Sequence, residues 1–268
     1  MLIRDYRQFL LSLRTFTLNA YNQQIVIKKP QEIAAIRKAC QITSTLYEII
    51  IDKHLKLGVS EVYLEKKINE LAKELGADVS KSNGVNGVMA FPTIIGSGPN
   101  SSFIHSIPSG RIIKEGDVVQ FDLGVVYQGY SSDLSRVVFM GKKKHVSLNV
   151  KQAFKYVNKA QEKALQGLES HQPLASIAGC VDKYFEKKGV LYNYLHSLGH
   201  GVGNEIHEYP RITADMKKGV LPCPGMVFTI EPGLYFPGKF GVRVEDTVLV
   251  LEHGYESLTT ARKDNYWK

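Results

Sequence analysis

Apolar residues recur at helical spacing near the start of the chain and again past its midpoint, and the stretches after each run in short strand-like blocks. After Pro30, which suits a first helical turn, Ile33, Ile36, Ile42, Leu46 and Ile49 form one stripe. That stripe predicts a helix over 30–53, broken at Leu57-Gly58. Leu64, Ile68, Leu71 and Leu75 follow at spacings of 4, 3 and 4, so a second helix is expected from about Ser60 to Leu75, with Gly76 as its stop. Gly and Ser punctuate Val88 to Gly110, where short strands are expected around His105. Val118 to Leu123 and Ser132 to Met140 predict two antiparallel strands joined through Tyr127 to Ser131. Helices are expected again at about 147–168 and 174–188, and strands at about 226–231 and 242–250.

The order helix, helix, strands is therefore written twice, an α+β pattern with internal duplication. A sequence repeat matches it. Gly116 to Gly124 places Asp122 six residues after its first glycine, and Gly225 to Gly233 places Glu231 at the same offset. A His-x-x-Pro precedes each copy, His105 to Pro108 and His207 to Pro210, and a further strand acid follows each, Asp133 and Glu245. Two halves that share one site must depend on each other, so one domain is expected from about residue 25 to 268. Residues 1–24 read as an extension or a linker.

Composition narrows the class without naming a chemistry. The 268 residues are 44% hydrophobic and 22% charged, as in an ordinary globular protein. No apolar run approaches the roughly 20 residues needed to cross a bilayer, so no membrane role is expected. The first 20 residues mix Arg4, Arg7 and Arg14 with leucines and do not read as a secretory signal. Cys40, Cys180 and Cys223 are too few and too scattered for a disulfide framework, which favours the cytoplasm. The net charge of +8 lies largely in short lysine runs such as Lys142 to Lys144. They read as solvated element ends, with no nucleic acid expected as partner.

Asp122 interrupts a strand between Phe121 and Leu123, where burial of a lone carboxylate costs at least several kcal/mol, on the order of a buried unpaired charge. Four acids brought together would also repel one another, and a polyvalent cation relieves both penalties. His200 supplies a nitrogen ligand from a segment, His196 to His207, whose Gly199, Gly201 and Gly203 suit close backbone approach. The set Asp122, Asp133, His200, Glu231 and Glu245 is oxygen-rich with one imidazole. It suits Mn²⁺, Co²⁺ or Fe²⁺, with Zn²⁺ an alternative, and poorly suits a structural zinc site.

These five residues, the two His-x-x-Pro elements, Gly199 to Gly203, Thr229 to Gly233 and Val242 to Asp246 together resemble the pita-bread metallopeptidases. That family comprises methionine aminopeptidases, Xaa-Pro aminopeptidases and prolidases, and the likeness covers about residues 25–268. It implies a pseudo-twofold fold, a curved antiparallel sheet covered by two pairs of helices, and two divalent metal ions with a hydroxide held between them. By the resemblance Asp122 chelates one metal, Asp133 and Glu245 bridge both, and His200 and Glu231 bind the other. Glu231 also relays the proton to the leaving nitrogen. His105 and His207 contact the substrate carbonyl. His196, Tyr235 and Arg243 match positions that line a proline pocket. His196 and Arg243 lean toward the Xaa-Pro branch.

The expected function is thus a dinuclear exopeptidase that hydrolyses the N-terminal Xaa-Pro bond of peptide substrates. General peptidases handle that bond badly because proline has no amide N–H and constrains its neighbour. Methionine aminopeptidase activity is the nearest alternative, and a non-catalytic binding protein of this fold is another. Full-length Xaa-Pro peptidases generally carry a further N-terminal domain, whereas about 24 residues precede the pattern here. Homodimer formation and substrate length therefore stay open.

Overall fold

Both copies of the repeat begin with the backbone in the same left-handed conformation, Gly116 at φ 87° and Gly225 at φ 86°. A side chain at either would be strained, so the two glycines are the shared local reason that each strand enters its sheet as it does. The computed structural model describes residues 27–78, 88–263 and 266–268, so the extension expected at 1–24 lies outside the described residues.

Among the described residues four α-helices follow the apolar stripes. Helix α1 (Pro30–Ile49) runs on into a π turn at Ile50–His54. Helix α2 (Glu61–Glu74) starts at Ser60, whose Oγ accepts the Tyr63 amide at 3.2 Å. Helix α3 (Leu148–Glu169) starts at Ser147, whose Oγ accepts the Asn149 amide at 3.2 Å. Each serine satisfies a donor that a helix start leaves open. Helix α4 is Leu174–Lys187.

The first half contributes strands β1 (Ile94–Ser97), β2 (Val118–Leu123), β3 (Val126–Tyr127), β4 (Tyr130–Ser131) and β5 (Leu134–Phe139). The second contributes β6 (Gly199–Gly201), β7 (Glu208–Ile212), β8 (Val227–Ile230), β9 (Gly233–Phe236), β10 (Phe240–Arg243), β11 (Asp246–Val250) and β12 (Tyr255–Ser257), and β13 (Tyr266–Trp267) closes the chain. One sheet has the order β1-β2-β5-β13 and another β12-β11-β8-β6-β7, with β9–β10 and β3–β4 as separate hairpins. In the repeat, β2 pairs antiparallel with β5 as β8 pairs with β11.

Each helix pair covers its own half. Leu46, Tyr47, Ile50, Leu64 and Ile68 pack with Ile95, Val119, Phe121 and Leu123. Phe154, Val157, Val181 and Phe185 pack with Phe228, Val242 and Val248. At roughly 1.5–3 kcal/mol for each large apolar side chain fully buried, these two clusters hold the helices to the sheets. The halves meet where Gln120 of β2 accepts the Arg243 amide of β10 at 2.7 Å.

Three expectations need correction. The strand expected at 242–250 is two strands in different sheets, because the chain turns away from the ladder at Val244 and Glu245. The Glu245 amide donates to the Ser135 carbonyl of the first half at 3.1 Å, and Arg136 donates to the Glu245 carbonyl. The strand expected from Ser132 begins at Leu134, since Tyr127 to Ser131 is part of its own hairpin, turning at Gln128 and Gly129 with positive φ. The glycine-rich stretch around His200 contributes a strand, β6, where only close approach was expected.

Candidate active site

All six residues of β2 are buried, so Asp122 does not face bulk water as an amphipathic strand would allow. Asp133 immediately precedes β5, His200 is central in β6, Glu231 follows β8, and Glu245 occupies the break between β10 and β11. Asp122, Asp133, His200 and Glu245 are each less than one-tenth exposed, and the Glu231 side chain is 13% exposed. One ligand atom from each of Asp133, His200 and Glu245 lies within 4.8 Å of the others. His200 Nε2 stands 3.5 Å from Asp133 Oδ2 and 3.3 Å from Glu231 Oε1. Asp122 is turned toward Arg243, whose Nη2 donates to Oδ2, while Oδ1 is buried without a donor.

The protonation pattern follows from these contacts. His200 Nδ1 donates to the Gly201 carbonyl at 3.1 Å, which puts the lone pair of Nε2 among the carboxylates. Burial holds the imidazole below its ordinary value and hence neutral. Burial, then Glu245, pushes the Asp133 carboxyl well up. Burial, then Glu231, does the same to Glu245, and burial raises Glu231. Four carboxylates thus face a lone pair and one guanidinium. The orphaned Asp122 oxygen, the unprotonated Nε2 and the mutual repulsion of the acids would all be relieved by a cation. The donor set is that of a divalent ion, so these residues fit a metal centre.

Glycines make the arrangement possible. A Cβ at Gly199 would overlap the Thr229 carbonyl, and one at Gly201 the Tyr209 carbonyl, so β6 could not lie between its neighbours with larger residues. Thr229 links two residues of the cluster, accepting the His200 amide at 3.0 Å and donating to Glu231 Oε1 at 3.2 Å.

The remaining expected residues surround this cluster. The His207 ring centroid is 4.3 Å from that of His200, the planes 70° apart. Burial, then the charges of His200 and His105, lowers His207 to about 4. His105 is exposed on the loop before β2 and acts electrostatically on both His196 and His207. His196 Nδ1 donates to the Ser197 carbonyl at 2.8 Å, and its Nε2 accepts from the Tyr235 hydroxyl at 3.0 Å. Arg243 in turn donates to that hydroxyl and to Ser135 Oγ at 2.7 Å. Tyr235 and Arg243 are almost fully buried, so of these three His196 is the one partly open to solvent.

Four supporting residues were not foreseen. Gln120 and Thr229 each lie two residues before an acid of the repeat, four after its first glycine, and that shared offset was the available signal. Arg136 and Asp246 form a buried pair at 2.7 Å behind Glu245, with Lys263 also on Asp246. Burial opposes ionisation of Asp246, yet Arg136 and Lys263 hold its carboxyl below the usual range.

Comparison with known proteins agrees with this geometry. The description of metallopeptidase family M24 matches residues 34–252. The chain is 37% identical over 241 residues to an Xaa-Pro dipeptidase of Pyrococcus furiosus, covering 89% of this chain and 64% of that protein. An X-Pro aminopeptidase from Thermotoga maritima superposes with a TM-score of 0.81 at 31% identity, covering 91% of this chain and 65% of that one. An Xaa-Pro dipeptidase from Bacillus anthracis gives a TM-score of 0.81 at 32% identity, covering 91% and 64%. The chain therefore spans just under two thirds of the length of these relatives.

Proposed function

This chain belongs to metallopeptidase family M24, and from that premise we propose that it is a metal-dependent exopeptidase hydrolysing the bond between an N-terminal residue and proline. Residues 25–268 are its catalytic domain, working on peptides in the cytoplasm. The observation that carries the reading is the convergence of Asp133, Glu231 and Glu245 on the lone pair of His200. The relatives named for Xaa-Pro cleavage support the substrate class.

Asp122, Asp133, His200, Glu231 and Glu245 would hold two divalent ions, Mn²⁺ or Co²⁺ ahead of Fe²⁺ or Zn²⁺. When bound, the ions supply Lewis acidity at the scissile carbonyl and a water acidified toward neutral pH. Glu231 would accept the proton of the attacking water and return it to the departing proline nitrogen. His207, neutral at physiological pH, donates to the carbonyl oxygen as charge develops there, with His105 as the second imidazole to contact it. His196 offers a wall for the proline ring, and Tyr235 and Arg243 support it from beneath.

A panel of Met-Ala-X and X-Pro-X peptides, assayed with Mn²⁺, Co²⁺, Fe²⁺ and Zn²⁺ and with a chelator, tests this. Metal-dependent release of the residue before proline is expected. Efficient cleavage of Met-Ala-X with the Xaa-Pro peptides spared would replace the proposal by initiator-methionine removal. Metal uptake without cleavage of any peptide would leave a binding protein of this fold.

A further inference from the structure

An acid in the first turn of a helix ordinarily faces water and favours the helix dipole from there. Glu61, the first residue of α2, is instead fully buried. Its Oε1 accepts the Ser97 amide at 2.7 Å, Ser97 Oγ at 2.6 Å and Asn100 Nδ2 at 3.1 Å. Its Oε2 accepts the Ser109 amide at 3.0 Å, Ser109 Oγ at 2.6 Å and the same Asn100 nitrogen at 3.0 Å. Every direct bond to this buried carboxylate is a neutral donor's, since Arg111 directs its guanidinium to Asp117 and to Ser97 Oγ and acts on Glu61 only as a nearby charge. Charge-assisted bonds of this kind are about twice as strong as neutral ones, so the arrangement is stiff.

Ser97 and Ser109 are the two ends of the loop that carries His105. The α2 main chain reinforces the same junction, with the Glu61 and Val62 amides donating to the Arg111 and Ser109 carbonyls at 3.2 and 3.1 Å. The loop's other attachments go to the second half. Ser101 Oγ accepts the Gly241 amide at 2.9 Å, and the Ile104 carbonyl accepts from Arg243 at 3.3 Å. Beyond them Phe103 and Ile107 are exposed on either side of His105. Glu61 therefore ties the neck of a compact loop whose tip bears an imidazole.

We infer that Glu61 is a positioning residue for His105. Through Ser97, Asn100 and Ser109 it fixes where the loop leaves and rejoins the first half, and so how far the imidazole stands from the acids. The inference rests on the substrate contact proposed for His105. Glu61→Gln keeps the shape but sets an amide NH₂ against a serine amide and the Asn100 NH₂, which only donate, and against a serine hydroxyl that would have to turn from donating to accepting. It should lower kcat roughly 10- to 100-fold, the scale of a misplaced catalytic group, with KM and metal content within about twofold.

A double-mutant cycle separates positioning from mere stability. E61Q should slow the H105A enzyme no further, whereas a purely structural role would slow both backgrounds by the same factor and overturn the inference. The His105 ring signal in a ¹H–¹³C NMR spectrum gives a readout free of activity and should move in E61Q. If the wild type cleaves no peptide, the proposed function fails and this signal alone decides. An unmoved His105 signal in folded E61Q overturns the inference. Should E61Q not fold, S109A, which removes one donor, takes its place in both measurements, with an expected fall in kcat of about threefold.

Discussion

Arg243 donates through Nη2 to Oδ2 of Asp122, and the other oxygen of that carboxylate is buried with no donor at all. The guanidinium also donates to the Tyr235 hydroxyl, to Ser135 Oγ and to the Ile104 carbonyl. One cation thus organises strand β2, the histidine loop and the β9–β10 hairpin. Removing one partner of such a buried pair costs about 3–5 kcal/mol, because the other charge is left uncompensated. Arg243→Met should therefore lower the unfolding free energy of the chelator-treated protein, read from urea melts, by about that much. A metal ion on Asp122 would supply the missing positive charge, so the loss should shrink when Mn²⁺ is present. An equal loss with and without Mn²⁺ would show that Asp122 does not meet the ion.

Asp133 and Glu245 approach His200 from opposite halves of the chain, and their ligand atoms cluster with its imidazole. A ligand shared by two ions serves both, so Asp133→Ala and Glu245→Ala should each abolish metal uptake at both positions. Elemental analysis after dialysis against Mn²⁺ reads this directly. Retention of one equivalent by either variant would remove that residue from the bridging role.

The sequence pointed to the fold through local spacing and to this candidate site through a repeat. Helix stripes and the strand Val118–Leu123 depend on neighbours a few residues away, so local spacing was enough to place them. The four acids of the candidate ligand set stood out because a repeat put acids where apolar residues belong. The break at Val244 and Glu245 was not legible, since its cause is Ser135 and Arg136, more than 100 residues earlier. Lys28 and Glu208, a partly buried pair 180 residues apart beside His207, gave no local signal for the same reason. Glu61 gave no local signal either, because its donors lie in a loop that begins 36 residues later.

In the metal-free protein the acids of the site should make stability fall as pH rises. Asp133 has its folded value raised above 3.8, and Glu231 and Glu245 above 4.5, so between those values and the raised ones the native state binds more protons than the unfolded chain. Their contribution is complete below the unfolded values and is lost as pH climbs through the folded ones, by about 1.4 kcal/mol per pH unit for each such proton. Asp246 works the other way, its contribution present above 3.8 and lost as pH falls through its depressed value. Urea midpoints at pH 5, 6.5 and 8 in chelator should decline. With Mn²⁺ bound the decline should vanish, because metal binding displaces the same protons. A midpoint in chelator that is level or rising across this interval would contradict the assignment.

His207, on the loop before β7, lies against His200 with ring centroids 4.3 Å apart, and the part of its ring covered there pushes it down to about 4. A neutral ring at physiological pH is a hydrogen-bond donor rather than a charge, which suits an oxygen that becomes negative only during reaction. His207→Ala should leave metal content unchanged and lower kcat by about 10²–10³, the usual cost of removing one such donor. KM should move little, because the interaction strengthens only as the transition state forms. His207→Gln, whose amide can donate from a similar distance, should recover part of the loss. Loss of metal in the alanine variant would mean that the ring supports His200 rather than the substrate, and the division between ligands and substrate contacts would have to be redrawn.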